Sequence, residues 1–178
     1  MSKQTLGIIG VIVVAFVLVL LFAFVKGPSG TIPGGINGQE VEPQGPVTRE
    51  APPRNVVVPD VGAENVPENV AVPESVSPAA PHRGDASFRS FNVSINGGKF
   101  EPDTVIVKMG DTARINVTAV DGDYDYFQPD YGFKVRLAQG ETKFTQFDAT
   151  AAGKFTIFCE SCGGPDRGPV GYLIVAPK

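Results

Sequence analysis

The sequence of 178 residues contains no tryptophan, two methionines, two cysteines and a single histidine, His82. No histidine lies between Ser87 and the C-terminus, so no nucleophile–histidine–acid constellation can be assembled there. Cations are also in deficit: 15 Lys and Arg face 19 Asp and Glu, for a net charge of −4, which argues against nucleic acid as a partner. Gly163-Gly164-Pro165 is not followed by Lys-Ser/Thr, so it is no phosphate loop. Hydrolytic and phosphoryl chemistry are therefore not expected, and no catalytic residue is assigned.

Charge is missing altogether from Leu6 to Val25, a run made almost wholly of Leu, Ile, Val, Phe, Ala and Gly. As a helix it would be about 30 Å long, the thickness of one bilayer core. A cleaved signal peptide would have a shorter apolar region and a small-x-small site, whereas Lys26-Gly27-Pro28 follows here. No cysteine is near for lipid attachment. The run reads as a transmembrane signal anchor over 6–25 behind a short cytoplasmic N-terminus, 1–5. Lys3 precedes the run, and Glu40, Glu42 and Glu50 follow it, which places the rest of the chain on the extracytoplasmic side of the cell membrane. A cysteine pair on that side has access to oxidation.

Large apolar residues are scarce from Lys26 to Ala86, and eleven of the sixteen prolines fall there. A loose repeat recurs as VPDV (Val58–Val61), VPENV (Val66–Val70) and VPESV (Val72–Val76). Frequent proline removes backbone donors and favours polyproline II, so 26–86 is expected to be a disordered tether without its own core. Such a tether would reach roughly 40 Å as a coil and about 190 Å fully extended. His82 lies in it and reads as a solvated residue.

From Ser87 to Lys178 the pattern changes to short alternating runs separated by turn residues. Phe91, Val93 and Ile95 alternate with Asn92 and Ser94, and Ala113, Ile115, Val117 and Ala119 share one face of the next long run. Runs at TVIVKM, YDYF, FKVRL, ETKFTQF, KFTIFC and GYLIV complete an all-β pattern. Phe91, Val107, Ile115, Phe155 and Leu173 are the expected core of a modest sandwich. Asn92-Val-Ser94 and Asn116-Val-Thr118 are glycosylation triplets on outward positions, of a kind that also arises by chance. Asp121, Asp123 and Asp125 open like an EF-hand loop, but Tyr126 and Gly132 stand at its sixth and twelfth positions, so an acidic turn is the stronger reading.

Both cysteines lie in CESCGGPDRGPVGYLIV, spaced Cys159-x-x-Cys162. That spacing suits a metal, a disulfide or a thiol oxidoreductase. The last normally places its first cysteine at a helix N-terminus, whereas Cys159 ends a β run.

The succession GKFEPDTVIVKMGDT, a hydrophobic strand, an acidic turn, and then AGKFTIFC resembles the cupredoxin family. The segment Pro129-Asp130-Tyr131-Gly132-Phe133-Lys134 is similar to part of the CuA-type domain of cytochrome oxidase subunit II. The resemblance covers 87–178 and implies a Greek-key β-sandwich carrying copper at one end. Residue by residue, the family's ligands are degenerate here. Cys159 and Cys162 stand at its cysteines with one residue fewer between them, Tyr124 and Asp166 at its histidines, and Pro169 at its methionine. What the resemblance implies is electron transfer or copper handling with a redox or copper-delivery protein as partner. Cys159 and Cys162 would be the candidate metal ligands, with Asp166 and Tyr124 as weak ones. The alternative is an envelope binding or structural module in which the cysteines pair with each other and no metal is held.

Overall fold

The computed structural model describes residues 48–79 and 85–178. The expected cytoplasmic N-terminus (1–5), the membrane run (6–25), the tether portions 26–47 and 80–84, and His82 lie outside the described residues.

Eleven strands follow in order: β1 (Arg49–Glu50), β2 (Ser75–Pro78), β3 (Ser87–Asn96), β4 (Lys99–Glu101), β5 (Thr104–Lys108), β6 (Thr112–Ala119), β7 (Tyr124–Gln128), β8 (Phe133–Leu137), β9 (Thr142–Asp148), β10 (Gly153–Phe158) and β11 (Val170–Ala176). One sheet has the order β5-β11-β10-β7-β8, with β1 also on β10; the other has β2-β3-β6-β9, with β4 on β3. The pairs β3–β6 and β5–β11 are parallel, and the remaining ladders are antiparallel. The expected all-β sandwich is therefore present.

The core follows from the alternation. Phe91, Val93 and Ile95 of β3, and Ala113, Ile115, Val117 and Ala119 of β6, are all buried, as are Val107, Phe155 and Leu173. Successive strand side chains point to opposite faces, so period-two apolar patterning directs one set inward. An aromatic row crosses this interior, in which Tyr126 packs between Phe100 and Phe133 at ring distances of 5.2 and 5.9 Å. Arg89 breaks the inward apolar set of β3. Its Nε meets Asp111 Oδ2 at 2.8 Å with both side chains nearly enclosed, and Asp111 also accepts the Ser87 and Lys108 N–H groups.

The described part of the expected tether, 48–79, lies on the sandwich. β1 pairs with β10 and β2 with β3. Ala71 is buried and donates its N–H to Thr104 O at 2.7 Å, while Thr104 N–H donates to Asn69 O at 2.9 Å. Proline removes its own donor only, and the Val, Ala and Asn residues between prolines keep theirs.

Candidate functional site

β10 and β11 are neighbours, and the chain between them forms a loop at one end of the sandwich. Phe158, the last residue of β10, is in register with Phe127 of β7 and Val170 of β11. Cys159 follows immediately, is fully buried, and donates its N–H to Pro169 O at 3.2 Å. Cys159 and Cys162 are joined as a disulfide, with their Cα atoms 5.3 Å apart. A short 3₁₀ turn, Gly164–Asp166, leads back toward β11. Gly164 N–H donates to Cys159 O, and Gly168 N–H to Gly164 O at 2.9 Å.

The loop is held from beneath by Asp125, which belongs both to the acidic stretch and to the expected strand run YDYF. Asp125 of β7 is 1% exposed, and its carboxylate accepts the N–H of Glu160 at 2.6 Å and of Ser161 at 3.1 Å. Those are the two residues between the cysteines. Lys134 Nζ lies 3.8 Å from Asp125 Oδ2 and also pairs with the Glu160 carboxylate. A buried carboxylate needs such partners, and charge-assisted bonds are the stronger kind. Lys134 is delivered by the β7–β8 hairpin. Its PDYG turn closes through Gly132 N–H to Pro129 O at 3.1 Å, with Gly132 at φ 68°. Lys134 then rides over the Phe127 ring at 5.3 Å. So the stretch that carries the family resemblance supplies the cation that braces the cysteine loop. An acid at the second position of a strand run, followed by a lysine nine positions on, was the available signal for this pair.

The other acids of DGDYDYFQPDYG have separate duties. Asp121 accepts the Gly97 N–H and the Tyr124 hydroxyl, both at 2.8 Å; Asp123 accepts the Gln139 N–H; Asp130 accepts from Gln128 Nε2. The Gly97 N–H, and next the Tyr124 hydroxyl, hold the Asp121 carboxyl below the usual carboxylate range. Asp121 in turn raises the Tyr124 phenol.

The four candidate ligands are thus in unlike states. The two sulfurs are bonded to each other, the Tyr124 hydroxyl is engaged by Asp121, and Asp166 is an exposed member of the 3₁₀ turn. Tyr124 and Ser161 line one shallow cleft, so the first histidine-like position does border the cysteine loop. Among the described residues no group of three or more His, Cys, Asp and Glu side chains converges. A bridged dinuclear or blue copper centre needs thiolates and imidazoles together, and these residues do not fit it.

A two-sheet β-sandwich with a cysteine loop between its last two strands is the arrangement of a cupredoxin-type domain. The family model described as "Cupredoxin-like domain" matches residues 70–175, well over half of the chain, and the chain belongs to that family. No curated protein matches it in sequence. Among solved structures, the metal-binding domain of the Streptococcus pneumoniae D39 Cu(I)-exporting P-type ATPase is similar at 11% identity, covering 67% of this chain and 96% of that one, with a TM-score of 0.45. Subunit II of a cytochrome c oxidase, caught in a mixed disulfide with a thioredoxin-like protein, is 18% identical over 50% of this chain and 82% of that one, with a TM-score of 0.42. A chain of a heme-copper terminal oxidase dimer is 15% identical over 97% of both chains, with a TM-score of 0.39.

Proposed function

We propose that this protein is a membrane-anchored, extracytoplasmic cupredoxin-like module in which a structural disulfide stands at the metal loop, serving as a binding or structural component and not as an electron carrier. The observation that supports it is the Cys159–Cys162 bond, inside a loop whose two intervening N–H groups are both tied to Asp125. Closing so short a loop contributes about 2 kcal/mol in the chain-entropy model, enough to matter in a small domain. The uncharged run 6–25 supports anchoring, and the oxidised pair is the state favoured outside the cytoplasm. The test is to purify the full chain in lipid nanodiscs without reductant and to measure free thiols, bound copper and the visible spectrum. No free thiol and no copper are expected. An intense thiolate-to-copper band that disappears in Cys162→Ser overturns the reading.

A second reading has its own support. Two sulfurs on one rigid loop become a soft two-thiolate site after two-electron reduction, which suits Cu(I). In that reading the chain receives or delivers copper through a redox partner protein. One Cu(I) per chain, bound only after reduction and lost in Cys159→Ser, distinguishes it.

A further inference from the structure

Away from the cysteine loop, the segment from Pro53 to Val70 arches over the outer face of β5 and β11 and leaves a cavity of about 600 Å³. Ile106 and Ile174 form its floor and are register partners on adjacent parallel strands. Their neighbours Val105, Val107, Leu173 and Val175 point into the core, so alternation sends the two isoleucines outward. Each is nonetheless only 9% exposed, because the arch covers it.

We propose that this cavity binds one small amphiphilic cation, with an aliphatic or alicyclic body and an ammonium head. The body is matched by Val56, Val58 and Val66 above and by the two isoleucines below. The head is matched by Asp60 and Glu64, which line the cavity while, among the described residues, no cationic side chain does. The volume lies within the range of small-molecule sites, which are mostly apolar with a few placed polar groups. The cavity is half open to solvent along the arch, where Asp60 and Glu64 are exposed, so a ligand can enter without the frame opening.

The arch is tied to the sandwich at both ends of the cavity. Arg89 Nη1 donates to Pro59 O at 2.9 Å, and Arg89 is itself fixed by Asp111. The far end is held by the Thr104 bonds to Asn69 and Ala71, and by Asn69 Nδ2 to Asp103 Oδ1 at 3.1 Å. A frame braced in this way lowers the ordering cost of binding.

The test uses the full chain in nanodiscs with labelled Ile and Val methyl groups, titrated with 1-adamantylamine and, as the uncharged match, 1-adamantanol. Saturable shifts at Ile106 and Ile174 are expected, stronger for the amine. Asp60→Asn with Glu64→Gln should weaken the amine by about fivefold and leave the alcohol unchanged. Ile106→Trp fills the cavity from the sheet and Val66→Trp from the arch, and either should abolish binding while the melting transition of at least one variant stays intact. Absence of saturation with both probes, equal affinity for amine and alcohol, or binding that persists in both filled variants overturns the proposal.

Discussion

Asp125 Oδ1 accepts the N–H of Glu160 at 2.6 Å, across a sequence separation of 35 residues. With the second bond from Ser161 N–H, this one carboxylate orders the whole interval between the cysteines. Asp125→Asn keeps one acceptor but turns an amide NH₂ toward the other donor, and Asp125→Ala leaves two N–H groups without a partner. Both variants should lose about 2–4 kcal/mol, read as a lower urea midpoint with an unchanged slope. The disulfide should also be reduced faster by dithiothreitol than in the wild-type chain. Unchanged stability and unchanged reduction rate would mean that the loop holds itself.

The sandwich was legible because period-two patterning reports burial directly, as Phe91, Val93 and Ile95 demonstrate. The cysteine loop was placed by family resemblance, and its chemistry was left open between metal and disulfide, because spacing alone does not fix an oxidation state. Asp125 was not legible as a loop brace. Its strand, Tyr124–Gln128, breaks alternation by burying Asp125 and Tyr126 together, and an acid among other acids reads as a solvated turn. The seating of 48–79 on the sandwich was hidden for a different reason. Composition reports the proline content of a segment, but the hydrogen bonds of Thr104 to Asn69 and Ala71 are long-range facts.

The pair Asp121 and Tyr124 sets a pH window. The Asp121 carboxyl is lowered, first by the Gly97 N–H and then by Tyr124, so its contribution is complete above the ordinary carboxylate value of 3.8 and is lost as pH falls through the lowered one. Tyr124 is raised, first by its bond to Asp121, so its contribution is complete below the ordinary value of 10.0 and fades as pH rises through the raised one. A Tyr124 ring-carbon NMR titration should therefore show a midpoint above 10.0, and Asp121→Asn should bring it back toward that value. A midpoint that does not move in the variant would assign the shift to burial alone.

Arg89 and Asp111 form the buried ion pair that fixes the turn before β6 and the arch at Pro59. Removing one partner, as in Arg89→Met, leaves an enclosed charge and should cost about 3–5 kcal/mol. Replacing both, Arg89→Met with Asp111→Leu, removes both charges but leaves the Ser87 and Lys108 N–H groups without their acceptor. The double variant should consequently stay well below the wild type in stability, unlike a simple pair in which apolar replacement restores it. Thermal or urea unfolding of the three chains decides this, and a double variant equal to the wild type refutes it.

At Gly168 the returning chain packs against both cysteines. A Cβ built there would lie 2.9 Å from Cys159 O, 3.0 Å from Gly164 O and 3.1 Å from the Cys162 Cβ. Two of those neighbours are backbone atoms already bound in the loop, so neither can swing aside as a side-chain tip could. Gly168→Ala should break the Gly168 N–H to Gly164 O bond and push the 3₁₀ turn away from β10, at a cost of about 1–3 kcal/mol. Amide exchange should accelerate at Gly164 and Gly168, while the amides of β3 and β6, in the other sheet, stay protected. Acceleration that spread through β6 as well would show the loop to be part of the cooperative core, and would move the role of the disulfide from local closure to global stability.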